Sequence, residues 1–346
     1  MSPDLRKISI LSTIVEEYIS SALPVGSRTV SKKSHLDLSA ASIRNIMADL
    51  TEEGYLQQPH TSAGRIPTPK GFRLYLDSCL KLAPLSGEKQ KNIARNITDA
   101  GTELSALLRQ TSKLLSSLAD QVSMVLTPSQ NMIRWQQIDF VLLRPGLIAS
   151  ILVLEGGLIK TKNIDVDKKI TSDDLVKYSN YLNQLFQGRT IFQARRLLME
   201  QMELARKQLN SLCQAALNLA RESFEAENGE RELYVDGTVK LLDQPEFSDM
   251  NTMKGLLSLL EERSRLLAIL DKTLEEGGVS IVFGLKDKED DSELESCCLI
   301  SSPYLLTDET AGVIGIIGPI RMDYSRVLPV VDFTAQVLSQ VLKSRF

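Results

Sequence analysis

Residues 59–68 read PHTSAGRIPT. Pro59 and Pro67 each fix φ and lack an amide donor, and Gly64 stands among small polar residues, so neither a helix interior nor a central strand can pass through. A turn is forced here, about sixty residues into the chain. The segment before it, AASIRNIMADLTEEG, carries Ile43, Ile46, Met47 and Leu50 at i, i+3, i+4 and i+7. That is one helical stripe. Ser39 is placed to cap its start and Gly54 to end it. Tyr55 and Leu56 then begin a short strand. Upstream, PDLRKISILSTIVEEYIS has apolar residues at 5, 8, 11, 14, 15, 18 and 19 with Pro3 in the first turn, a second amphipathic helix. Gly26 breaks the chain between the two, and Ser27 opens a short helix near 28–35. GFRLYLDSCLKL closes the block with another helix. Three helices followed by strand, turn and strand is the order of a winged helix-turn-helix over residues 1–85.

If the Ile43–Leu50 stripe is buried, the third helix turns Ala40, Ala41, Ser42, Arg44 and Asn45 outward at its N-terminal end. Small side chains let a helix approach base edges closely; Arg pairs bidentately with guanine and Asn with adenine. A helix N-terminus also presents free N–H groups to phosphate. The acidic Asp49, Glu52 and Glu53 fall at the far end. Arg28, Ser31, Lys32 and Lys33 on the preceding helix are placed to grip a nucleic-acid backbone. In the decapeptide, Ser62-Ala63-Gly64 supplies a turn, Arg65 a charge, and His60, Thr61 and Ser62 donors. Charge is distributed to match: residues 1–85 carry ten Lys and Arg against eight Asp and Glu, +2, in a chain of net charge −4. The other reading of the same pattern is a protein-interaction module.

Residues 83–90 (APLSGEKQ) mark a boundary. From 88 to 126 apolar residues recur at helical spacing. Strand-like runs follow in IDFVLLRPGLIASILVLEGGLIKTKNIDV, split by Pro145-Gly146 and Gly156-Gly157 into three antiparallel strands. Helical patterns return at 172–187, 191–226 and 252–275. ELYVDGTVKLLD holds one or two strands. SIVFGL, CCLISSPYLL and GVIGIIGPIRM are strands, and 325–343 is a last helix. The expected fold is multidomain α+β with an antiparallel sheet, interrupted near 170–250 by a helical block that reads as an insertion. Residues 194, 197, 198, 202, 209, 212, 216 and 219 form an apolar seam, either facing a partner or buried within the same chain.

Enzyme chemistry finds no footing. Two histidines, His35 and His60, both lie in the first block, with no cysteine or carboxylate at ligand spacing, so no metal is expected. There is no G-x-S-x-G and no phosphate loop; Gly312, Gly315 and Gly318 follow a G-x-x-G-x-x-G spacing that opens no helix. Arg321-Met322-Asp323-Tyr324 either orients a ligand or makes a strand-to-helix turn. The run KDKEDDSELE at 286–295 reads as a solvated loop. Cys79, Cys213, Cys297 and Cys298 contain no C-x-x-C and read as reduced thiols, which suits the cytoplasm. The N-terminus lacks an apolar signal segment, and no run approaches the ~18 apolar residues of a membrane span. No cofactor is expected. A ligand-sensing regulator is the alternative of a different class.

The motifs PVGSRT, SAASIRN with MADL and EEGYL, and PHTSAGRIPT, together with the closing GVIGIIGPIRMDYSRVLPVVDFTAQVLSQVL, resemble the HrcA family of bacterial heat-inducible transcription repressors. The resemblance is strong at both ends and one of arrangement between about 86 and 275. It implies a winged-helix DNA-binding domain (1–85), a GAF-like α+β domain (86–169 and 251–346) and an inserted dimerisation domain (170–250). It also implies a homodimer that binds the CIRCE inverted repeat in double-stranded DNA, represses groE- and dnaK-type chaperone operons, and depends on the GroE chaperonin for its active form. Carried over by motif, the DNA-contacting candidates are Arg28, Thr29, Ser39, Ser42, Arg44 and Asn45, with His60, Thr61 and Arg65 on the wing.

Overall fold

The stripe of the third helix is buried as its spacing demands: Ile43, Met47 and Leu50 are closed off from solvent and Ile46 is half-buried. In the computed structural model this helix, α3 (Ala40–Glu52), packs with α1 (Pro3–Ser21) and α2 (Ser27–Lys33). Gly54 follows at φ +75°, and the amides of Gly54 and Tyr55 close back on the carbonyls of Thr51 and Leu50. That left-handed residue turns the chain into a two-stranded antiparallel ribbon, β1 (Leu56–Gln57) with β2 (Ile66–Pro67), and then into α4 (Pro69–Ser78). Thr68 caps α4, and its hydroxyl also donates to the carbonyl of Gly54 at 2.7 Å. Residues 3–345 are described, apart from 35, 37, 61–62, 81–83, 102, 129–132, 156–157, 168, 209–210, 226–230, 286–293 and 307–310.

A five-stranded antiparallel sheet follows, in the order β7-β3-β10-β9-β8. Its strands are β3 (Val122–Leu126), β7 (Leu233–Asp236), β8 (Ser280–Phe283), β9 (Cys297–Leu305) and β10 (Ala311–Pro319). Both faces are covered. Val122, Met124, Leu126, Leu299, Val313 and Ile317 meet Leu256 and Leu259 of α10 (Met250–Glu261) and Leu266 and Leu270 of α11 (Arg263–Glu276). Val125, Ile300, Tyr304, Ile314 and Ile316 join the core shared with α5 (Gly87–Thr98), α6 (Leu104–Ala119) and α12 (Tyr324–Arg345). The glycines of β10 are packing residues: a Cβ on Gly312 would come within 2.4 Å of the Tyr304 ring.

The helical stretch expected over 88–126 is divided. α6 ends at Asp120, which adopts the left-handed conformation at φ 56°, and VSMVL continues as β3. All five of its residues are buried, so the strand shows no alternation that periodicity could detect.

The three strands between 135 and 165 do not join this sheet. β4 (Trp135–Arg144), β5 (Leu147–Leu154) and β6 (Leu158–Asp165) form a separate antiparallel sheet. Against it pack α7 (Ser172–Phe186), α8 (Ile191–Gln208) and α9 (Ser211–Glu225). Asn183 fastens α7 to β4: its Oδ1 accepts from the Ile138 amide at 2.7 Å and from Trp135 Nε1 at 3.2 Å, and its Nδ2 donates to the Ile138 carbonyl at 3.0 Å. The chain leaves the five-stranded sheet after β3 and re-enters it at β7, where the Thr127 amide donates to the Glu232 carbonyl at 2.9 Å and the Glu232 amide to Thr127 Oγ1 at 2.8 Å. The interruption therefore runs from the end of β3 to the start of β7, rather than over 170–250: a sheet belongs to it, and β7 does not. In the apolar seam, Ala194, Leu198, Ala216 and Leu219 are buried within the chain, while Leu197 and Met202 are half-buried. The side chains at 209 and 212 lie outside the described residues. Among the described side chains of α8, Phe192 and Met199 are instead the exposed large apolar groups. Among the described residues, no helix is long and apolar enough to cross a membrane.

Candidate nucleic-acid interface

The start of α3 is held by Ser39, whose Oγ accepts from the Ser42 amide at 3.2 Å and lies 3.0 Å from Ser42 Oγ. Ala41, Ser42, Arg44, Asn45 and Ala48 are exposed on the side opposite the buried stripe. No acidic residue stands in the first turn. The acidic far end is partly offset from α1: Lys7 Nζ lies 2.5 Å from Glu53 Oε1 and 3.5 Å from Asp49 Oδ2. The hydrogen bond to Glu53, reinforced by the nearby charges, raises the Lys7 ammonium above its ordinary value. Arg44 forms no ion pair with any described residue.

On α2 the four candidate backbone grips divide. Ser31 Oγ donates to the Leu38 carbonyl at 3.2 Å, and Lys33 pairs with Glu17. Both are occupied within the N-terminal block. Arg28 and Lys32 are exposed, and neither pairs with a described carboxylate. Thr29 is half-buried, with its amide on the Gly26 carbonyl at 3.0 Å.

The ribbon tip is a turn as the prolines require. The Ala63 amide donates to the His60 carbonyl at 2.9 Å, Gln58 Nε2 donates to the Ala63 carbonyl at 3.1 Å, and His60 is exposed. Thr61 and Ser62 lie outside the described residues, as do His35, the Gly156-Gly157 turn and residues 286–293 of the acidic run. Gly64 runs against the loop before α2, where a Cβ would sit 2.4 Å from the Val25 carbonyl oxygen. Val25 and Arg65 pair through both backbone bonds, each 2.9 Å. Arg65 departs from the expected outstretched charge: it is half-buried, and its Nε donates to Thr51 Oγ1 in the last turn of α3 at 3.1 Å. Four of the carried-over positions, Arg28, Ser42, Arg44 and Asn45, are thus exposed on α2 and the neighbouring start of α3. Ser39 is exposed there but engaged as a cap, and Arg65 serves the ribbon's attachment.

Two supports escaped the sequence. Lys7 has its partners 42 and 46 positions away, and Lys70, whose Nζ donates to the Glu53 carbonyl at 2.9 Å and lies 4.5 Å from the Tyr55 ring centroid, is reached through a turn. Neither is marked by any local spacing. The RMDY segment proves to be a strand-to-helix turn: the Asp323 carbonyl accepts from the amides of Arg326 and Val327, and Tyr324 is buried.

The family model described as "HrcA protein C terminal domain" matches residues 105–328. The chain is 43% identical over 343 residues to the heat-inducible transcription repressor HrcA of Nitratidesulfovibrio vulgaris (strain DSM 19637 / Miyazaki F), covering 99% of this chain and 96% of that protein. Its identity to the heat-inducible transcription repressor HrcA of Geobacter sulfurreducens is 39% over 338 residues, covering 98% of each. A crystal structure described as that of a hypothetical protein shares the fold, with a TM-score of 0.60, 21% identity and 99% coverage of both chains. With its motifs at both ends, a family model over the middle and whole-length relatives in agreement, the chain belongs to the HrcA family of heat-inducible transcription repressors.

Proposed function

We propose that this protein is a dimeric, DNA-binding transcription repressor rather than an enzyme, with residues 3–78 as a winged helix-turn-helix head. α3 is the recognition helix and the β1–β2 ribbon the wing. The five-stranded sheet with helices on both faces is the GAF-like domain. The β4–β6 sheet with α7–α9 is the inserted dimerisation unit, and Phe192 and Met199 are apolar groups available on its surface. The operator is the CIRCE inverted repeat of groE- and dnaK-type promoters, and the site of action is the cytoplasm, where the chromosome lies. Dependence on the GroE chaperonin follows from the family resemblance.

One observation carries this reading. The N-terminal face of α3 exposes Ala41, Ser42, Arg44 and Asn45, while Ile43, Met47 and Leu50 on the opposite side are buried, and Arg44 has no ion-pair partner among the described residues. A guanidinium and an amide on a slim helix face suit base edges in a major groove, and exposed Arg28 and Lys32 suit the flanking phosphates. A dimer fits the same physics, because one recognition helix reads few base pairs at ~1–3 kcal/mol each and two heads on a palindrome multiply the discrimination. The test is a gel shift with the inverted repeat against a scrambled duplex at one stated salt concentration, for wild type and Arg44→Ala. Selective binding by wild type, reduced ~10-fold or more in a folded Arg44→Ala, supports the reading. Equal affinity of the two proteins for the repeat removes it.

A further inference from the structure

We infer that Arg321 is a positioning residue for DNA binding: it fixes the angle at which the head is held on the sheet domain, and so the placement of two recognition helices on one operator. The inference rests on the dimeric, operator-binding reading above.

Arg321 follows β10 in the turn before α12. Its Nε and Nη2 bind the Glu246 carboxylate, Nη2 at 3.1 Å from Oε2, and its Nη1 donates to the Ile19 carbonyl at 3.3 Å. Both side chains are largely withdrawn from water, at 15% and 14% exposure. Ile19 lies in the last turn of α1, whose carbonyls have no intrahelical donors and carry the negative end of the helix dipole. That turn holds no basic residue of its own. The cation that complements the C-terminus of α1 comes from a residue some three hundred positions later. Glu246 sits on the short 3-10 segment Pro245–Ser248, downstream of β7, the strand by which the chain returns from the inserted unit. One guanidinium therefore joins the head, the sheet domain and the limb leading back from the insertion.

The neighbouring contact has a different character. Phe72 of α4 is fully buried among Tyr18, Phe283 and Tyr324, at centroid distances of 6.3, 6.1 and 6.0 Å. Arg73 Nη2 donates to the Ile281 carbonyl at 3.1 Å beside it. Apolar burial is non-directional, and the single Arg73 bond leaves rotation about its own axis free, so this contact holds the head on without fixing its rotation. A planar guanidinium forked between a carboxylate and a helix-end carbonyl does have a direction. Without the fork, the head stays attached at the aromatic cluster and pivots there.

On an inverted repeat the second head binds at an effective concentration set by its placement, so a pivoting head loses the advantage of the full site and tolerates altered spacing. The experiment uses the full chain with Arg321→Met and Glu246→Leu together, so that neither charge is left buried alone. Affinities are measured at one salt concentration for a one-arm duplex, for the CIRCE inverted repeat, and for the repeat with two base pairs added between the arms. The one-arm affinity is expected to stay within ~2-fold of wild type while the full-repeat advantage falls by ~10-fold and the spacing penalty shrinks. A full-repeat advantage and a spacing penalty both equal to wild type overturn the inference, leaving Arg321 a structural residue only. Loss of one-arm binding also overturns it, since the head itself is then damaged. If wild type binds one arm as tightly as the repeat, the dimeric reading fails first, and that result is visible without any variant. Should the double variant not fold, Arg321→Lys keeps the charge but cannot fork, and it is judged by the same three affinities.

Discussion

Arg65 Nε donates to Thr51 Oγ1 at 3.1 Å, which ties the base of the ribbon to the last turn of α3. The two residues stand fourteen positions apart, on opposite sides of the β1–β2 turn. The one fixed charge of the decapeptide is therefore engaged in setting where the ribbon stands relative to α3.

Arg65→Ala is accordingly expected to destabilise the head by ~1.5–3 kcal/mol, the range of a hydrogen bond that involves a charged group. It should weaken binding to every duplex while leaving the log–log salt dependence unchanged. Urea melts and anisotropy titrations across a salt series check both. A salt slope lower by about one unit would mean that Arg65 neutralises a phosphate after all.

Gly64→Ala tests the same attachment from the backbone. The added Cβ meets the Val25 carbonyl oxygen at 2.4 Å, and the nearest atoms, of Val25 and Pro24, are all main chain, with Val25 held by its paired bonds to Arg65. The strain is expected to cost ~1–3 kcal/mol and to displace the ribbon, with a loss of affinity for specific and scrambled duplexes alike. Retention of both stability and affinity shows that the ribbon's position is immaterial.

Ser39 separates capping from contact. Ser39→Ala removes the acceptor for the Ser42 amide and is expected to cost ~1 kcal/mol of stability. Ser39→Asp restores the cap but sets a negative charge on the face proposed to meet phosphate, so the melt recovers while DNA affinity falls below that of Ser39→Ala. Equal affinities for the two variants would place residue 39 away from the duplex.

The thiols of Cys297 and Cys298 are both pushed up to about 12, chiefly by burial. At pH 8 they remain protonated and closed to reagents, so alkylation followed by mass spectrometry should label the partly exposed Cys79 and Cys213 first, with the buried pair at least ~100-fold slower. The sign for stability follows. The unfolded chain releases these protons near pH 9 and the folded chain does not, so their contribution is full below about 9 and is lost as the pH rises from there toward 12. A melting temperature that is flat over that window in wild type, yet falls in Cys297→Ala, contradicts the assignment.

The head was legible because its information is local. The stripe of Ile43, Met47 and Leu50, the Ser39 cap and Gly54 all lie within one helix length, and the prolines of the decapeptide leave few alternatives. The body was less so. β3 is buried on both faces and reads as helix, and β4–β6 look like strands of the main sheet because alternation says nothing about which sheet a strand joins. At the candidate interface, the residue types were readable but their engagements were not. Arg65 and Arg44 look alike in sequence, and only the three-dimensional position of Thr51 separates an occupied guanidinium from one that pairs with no described carboxylate. The Arg321 fork joins positions that no sequence window contains together.

The narrow neck at Thr127 and Glu232 has a consequence for the molecule's modularity. β3 and β7 are neighbouring antiparallel strands whose ends already touch there, so a tight turn in place of everything between them would leave an ordinary β-hairpin at the sheet's margin. The inserted unit is in that sense a detachable cassette, exchangeable or removable without opening the hydrogen-bond ladder from which it hangs.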